Sequence, residues 1–228
     1  MQSVPEFWRG SLRATGIVVG FFPIAMSFGA IAAQTGVSQL AAMGMSVWVF
    51  AGASQFAAIE AVRQDLSAVS IVLTILIINL RHIPMSLAAQ KNYRPFGKVK
   101  QFILSHGIVD ETFALELSEE THSFAYYLGM HLCCWAAWVI GTGLGGWLGV
   151  QLPEQWLAFA LPALFLCLLC NSLKQHWSRE IMIALGVGIA LVLLTQPWGA
   201  TGVLLSILAV AAIASLLSQE KQSGGTKP

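Results

Sequence analysis

The chain has 228 residues, 56% of them apolar and only 10% charged, with a formal net charge of +1. That balance excludes a soluble globular domain, which needs more surface charge, and the 12 lysines and arginines are too few for a nucleic-acid-binding surface. The apolar residues gather in long continuous runs rather than alternating, which predicts an all-α, polytopic membrane protein rather than a barrel.

Seven runs are wide enough to be spans: 14–33, 40–59, 66–89, 124–150, 156–173, 181–195 and 198–217. They form one transmembrane domain over 1–217, followed by a short polar tail over 218–228 that is expected to be disordered. The first run follows Arg9 and Arg13 and ends in Ala30, Ile31 and Ala32, a pattern a cleaved leader also shows. Pro23 and Gly29 inside so long a run favour a span instead. Pro23 is also a place where the helix is expected to break.

The second run contains Ala51, Gly52, Ala53 and Ser54, another candidate break, with Gln55 beside it. The third carries Asn79, Arg81, His82 and Pro84 in its second half. An arginine at bilayer depth costs a few kcal/mol even on the forgiving insertion scale, so it normally faces a protein interior or a watery pathway. The alternative is that the helix ends near Leu80 and Arg81 reaches outward to lipid phosphate. For Ser54, Gln55 and Asn79 the alternative to lining a pathway is hydrogen bonding between helices.

Lys91, Arg94, Lys98 and Lys100 mark the next loop as cytoplasmic. Three apolar runs separate it from Arg9 and Arg13, so both basic clusters cannot be inside if every run crosses. Seven spans with the N-terminus outside is the preferred topology, and a re-entrant segment with the N-terminus inside is the second. Phe102, Ile103, His106, Val109, Asp110, Phe113, Ala114 and Leu117 recur at helical spacing, which predicts a helix on the membrane surface or tucked against the bundle. Asp110 and Glu111 read as solvated loop charges on this pattern alone.

The fourth run places Gly141, Gly145 and Gly149 on one face, and Gly16 and Gly20 are spaced likewise in the first. Such faces let backbones approach, either within the bundle or against a partner. Histidine as a residue type suits proton shuttling, which makes His106, His122 and His131 candidates in principle, and His131 within its apolar run reads as a hydrogen-bonded packing residue. Cys133, Cys134, Cys167 and Cys170 have no histidine at ligand spacing and read as small apolar residues, so no metal is expected. Pro162 is a candidate break in the fifth run, and Gln196, Pro197, Trp198 and Gly199 form the turn that folds 181–217 into a hairpin. No phosphate-binding GxxxxGK[ST], zinc HExxH or nucleophile GxSxG occurs, so neither a pump nor an enzyme of those kinds is expected, and no cofactor.

The strings PIAMSFG at 23–29, FAGASQF at 50–56, NLRH at 79–82, DETFAL at 110–115 and FALPALF at 159–165, with Met45 and Ser46, stand in an order that resembles the AzlC/YgaZ family of large branched-chain amino acid exporter subunits. The likeness runs over about 16–169. It departs at Leu157 and Ala158, where relatives commonly carry an acid, so no role of that position carries over. The resemblance implies export of valine, leucine, isoleucine or methionine across the bacterial inner membrane, with a small AzlD/YgaH-type membrane subunit as obligate partner. It also lifts Asp110 and Glu111 towards a coupling or gating role. A zwitterion in a low-dielectric site needs cationic or N–H groups for its carboxylate and acceptors for its ammonium. Arg81 is the obvious anion partner, and proton coupling the favoured energy source. The alternative is a channel-like or scaffolding subunit whose partner carries the site.

Overall fold

The computed structural model describes residues 4–117, 122–149 and 179–198, with positions 166, 170, 206, 209 and 210. Among them every regular element is a helix. The fifth run with Pro162, most of the seventh, and the tail lie outside the described residues. The chain divides into two units, Met1–Leu164 and Phe165–Pro228.

The first unit opens with a short helix α1 (Glu6–Arg13), absent from the sequence reading, followed by α2 (Thr15–Gln34), α3 (Gln39–Trp48) and α4 (Gly52–Arg63). After these come α5 (Ala68–Asn79), α6 (His82–Tyr93), α7 (Lys98–His106), α8 (Asp110–Leu117) and α9 (Phe124–Leu148). Serines start three of them: Ser38, Ser67 and Ser123 each accept a hydrogen bond from the backbone N–H three residues on. By length and composition, Thr15–Gln34, Ala68–Tyr93 and Phe124–Leu148 can each cross a membrane.

The helix α9 is the centre of this unit, with α1, α2 and α3 packed on it. Its glycines permit the approach. A Cβ on Gly145 would lie 1.9 Å from the Met26 carbonyl oxygen, and one on Gly149 would lie 2.2 Å from the Ala30 Cα. From the other side, a Cβ on Gly29 of α2 would lie 2.1 Å from the Thr142 carbonyl oxygen. The Gly141, Gly145 and Gly149 face therefore serves packing within the chain, whereas Gly16 and Gly20 have nothing within 4 Å among the described residues. Phe28, Met130 and Tyr127 are fully buried around this contact, and Phe28 meets Phe56 edge to face at 5.5 Å.

Two expectations about helix breaks need correction or refinement. The helix α2 runs unbroken through Pro23. The lost N–H is tolerated because α2 is clamped along α9, and Ser27 Oγ donates to the Pro23 carbonyl at 3.0 Å. The second run does break, at 49–51, where Phe50 is forced to φ +44° and buried beside Phe21. Each half, at about 1.5 Å per residue, covers only about half of a 30 Å hydrocarbon core. The Val47 carbonyl freed there accepts hydrogen bonds from His106 Nε2 at 3.0 Å and Trp135 Nε1 at 3.1 Å.

The third run breaks at Leu80 and Arg81, and Pro84 explains it. Its ring nitrogen cannot donate to the Leu80 carbonyl, which takes the Ile83 N–H at 3.1 Å instead. The helix resumes at His82 and continues to Tyr93. The single surface helix read over 102–117 is also corrected. It divides at Gly107 into α7 and α8; of its apolar positions Phe102 is 80% exposed and Val109 is buried, and the polar Thr112 and Glu116 are fully buried as well.

In the second unit, α10 (Arg179–Thr195) leads into a 3-10 turn, Gln196–Trp198. Thr195 Oγ1 then meets Ser206 Oγ at 2.9 Å, and Gly188 faces Val210, so the chain returns along α10 as the expected hairpin requires.

Candidate functional site

The break that Pro84 makes leaves Arg81 between α5 and α6, midway along the 26-residue apolar stretch Ala68–Tyr93. Its Nη1 lies 2.7 Å from Asp110 Oδ2, an ion pair with about a third of each side chain exposed. Asp110 begins α8, so the pair ties that helix to the α5–α6 kink. Among the described residues, two buried atoms there have no hydrogen-bond partner, Arg81 Nε and Asn79 Oδ1. One is a donor and the other an acceptor. The Asn79 backbone carbonyl, released by the kink, accepts from His82 Nδ1 at 3.1 Å. Asn79, Arg81 and His82 are thus brought together with Asp110, which sequence pattern had left as a loop charge.

His82 and Ile108 line an open cleft of about 480 Å³ that extends between α6 and α7 past Ile83, Ser86, Leu87 and Gln90. Its wall carries both polar and aliphatic groups, and Arg81 and Asp110 are not among the residues that line it. Glu111, next to Asp110, is half-buried. Burial pushes its carboxyl up to about 7, with Asp110 adding to the rise and Arg81 opposing it.

Ser54 and Gln55 belong to a different cluster. Both are fully buried. Trp138 Nε1 donates to Gln55 Oε1 at 2.9 Å, Gln55 Nε2 donates to Ser46 Oγ at 3.0 Å, and Ser46 Oγ meets Thr142 Oγ1 at 2.8 Å. Ser54 Oγ donates to the Ala51 carbonyl at 2.9 Å. This chain fastens the broken helix to α9, and Gly52 lets α4 come against the Trp138 indole. Ser46, Trp138 and Thr142 were not singled out from sequence as its partners, because nothing in a local pattern links positions so far apart.

A third cluster joins Tyr93, Glu116 and His131. Tyr93 Oη donates to the Glu116 carboxylate, 2.7 and 2.8 Å from its two oxygens, and His131 Nε2 lies 2.5 Å from Oε1. Sequence reasoning missed Glu116, since a glutamate in a polar stretch gives no signal of burial. The available clue was His131: a histidine inside an apolar run needs a polar partner from another helix.

The family described as AzlC protein matches residues 16–152. An uncharacterized membrane protein of Archaeoglobus fulgidus is 36% identical over 194 residues, covering 82% of this chain and 85% of that one. The inner membrane protein YgaZ of Escherichia coli is 28% identical over 191 residues, 78% of each chain. The branched-chain amino acid transport protein AzlC of Bacillus subtilis is 25% identical over 191 residues, 78% of this chain and 72% of that one. No solved structure matches. With its matched region spanning more than half of the sequence and its apolar helices long enough to cross a bilayer, the chain belongs to the AzlC family of membrane proteins.

Proposed function

We propose that this chain is the large subunit of a secondary transporter that exports branched-chain amino acids across the bacterial inner membrane, coupled to the proton gradient. The observation that carries the reading is the Pro84 kink. A cation and an anion are paired there, and a buried donor and a buried acceptor remain unfilled. An unsatisfied buried polar atom calls for an explanation, and a missing ligand is one. An α-amino acid supplies what both sides lack: its carboxylate takes the Arg81 guanidinium, and its ammonium takes Asp110 and Asn79. The aliphatic side chain then faces Ile83, Leu87 and Ile108 along the cleft.

Support for the substrate class comes from the Bacillus relative, named for branched-chain amino acid transport, and for the location from the Escherichia relative, named as an inner membrane protein. A small AzlD/YgaH-type subunit completes the proposed assembly. Much of Ala68–Tyr93 is available to lipid or to such a partner, since only 6% of its most apolar window is buried. Radiolabelled valine counterflow in proteoliposomes, with and without the small subunit, tests the proposal. Exchange that depends on this chain supports it, and a chain that binds the subunit yet exchanges no valine, leucine, isoleucine or methionine refutes it.

A further inference from the structure

We propose that Glu116 and His131 form the proton-binding site of this protein, and that α8 links the proton they hold to the Arg81–Asp110 pair. This rests on the transport reading above for its purpose, but not for its chemistry.

Glu116 is 2% exposed and His131 4%. At 2.5 Å, a proton must lie between His131 Nε2 and Glu116 Oε1. With Tyr93 also donating to the carboxylate, the cluster in its least protonated form holds a carboxylate, a neutral phenol and an imidazole whose proton sits on Nε2. Its net charge is then −1, and His131 Nδ1 is left as a bare acceptor. That atom is buried with no hydrogen-bond partner among the described residues. It stands against Gly107, where an added Cβ would come within 2.3 Å of it.

The cluster therefore has a vacant place for one proton, and filling it brings the net charge to zero. A buried lone charge is disfavoured, so the uptake is chemically reasonable without any further partner. The groups facing the site are Tyr93 from α6, with Tyr127 behind it at a ring separation of 5.5 Å. On α9, Cys134 stands one turn along from His131 and is buried, and α8 itself also carries the acidic Asp110 and Glu111 in its first turn. His106 of α7 is turned away to the Val47 carbonyl.

Coupling follows from what else α8 carries. It is eight residues long, with Asp110 at its first position and Glu116 next to its last. Thr112 holds its start by donating to the Gly107 carbonyl at 2.7 Å and accepting from Val109 N at 3.0 Å. One short helix thus grips Arg81 at one end and the proton site at the other. A change of charge at Glu116 and His131 alters the hold of α8 on α6 and α9, and with it the position of Asp110 relative to Arg81.

Two measurements test this on the chain purified and reconstituted together with the small subunit, with Glu116→Gln as the variant that keeps the size and an acceptor for Tyr93. In valine transport, Glu116→Gln is expected to keep counterflow, which needs no net proton movement. Accumulation driven by an imposed pH gradient should fall roughly tenfold or more, the usual size of a coupling between sites. His131→Gln should behave alike. Infrared difference spectroscopy on changing pH needs no substrate: the parent should show carboxyl and imidazole bands that disappear in Glu116→Gln. Gradient-driven accumulation equal to the parent, or an unchanged difference spectrum, overturns the proton site. If the parent moves no amino acid, the transport reading fails and the spectra alone decide the proton site.

Discussion

Arg81 was legible in the sequence because a charge in an apolar run has to be explained, and it stands midway along Ala68–Tyr93, a stretch long and apolar enough to cross a membrane. Its partner was not legible. Asp110 is 29 positions away in a polar segment, where a carboxylate looks solvated until the fold brings it to the kink. Arg81→Lys keeps the charge but loses the planar, two-pronged donor. It is expected to lower valine export roughly tenfold, the order of one charge-assisted hydrogen bond, at unchanged membrane abundance. Arg81→Gln should abolish export at similar abundance, and a lysine variant that exports like the parent would remove Arg81 from the substrate site. Glu111 gives a pH prediction. Its carboxyl is raised from 4.5 to about 7, so the folded protein binds this proton more tightly than the unfolded chain. The stability it contributes is present below 4.5 and lost as pH rises through about 7. Melting temperature in detergent should fall across that window, and less steeply in Glu111→Gln; equal slopes would contradict the burial of this group.

At the level of elements, the apolar runs predicted where helices lie but not where they stop. Pro23 and Pro84 carry the same ring, yet α2 continues and α5 gives way to α6. The difference lies in the neighbours: α2 is clamped along the glycine face of α9, whereas the Ala68–Tyr93 helix has little packed against it within the unit. A proline is absorbed where packing holds the helix straight and yields a kink where it does not. Composition contains no such information. The glycine spacing, by contrast, was readable, and only its use was open. Gly145→Ala would put a Cβ 1.9 Å from the Met26 carbonyl oxygen and should cost about 1–3 kcal/mol of stability. Gly143→Ala, whose Cβ would meet only Met43 at 3.6 Å, should be neutral or gain up to about 1 kcal/mol. Thermal unfolding of the two variants side by side checks the contact, and equal effects would mean that α2 and α9 do not meet as described.

On the scale of the whole molecule, the all-helical membrane class and the family were both carried by the sequence, the first by apolar runs and the second by a string of motifs spread over most of the chain. What the motifs did not carry was their grouping. FAGASQF supplies the bonds that fasten the broken helix to α9, while NLRH and DETFAL meet at the kink as Arg81 and Asp110. Of these three strings, one thus serves packing and two meet in a candidate binding site. The proposed site holds a zwitterion by both of its charges, between Arg81 and Asp110. The most direct test is competition against radiolabelled valine counterflow by valinamide, which lacks the carboxylate, and by isovalerate, which lacks the ammonium. The account predicts that leucine competes well and that neither of the two single-charge compounds does; competition by valinamide or isovalerate as strong as that of leucine would contradict it.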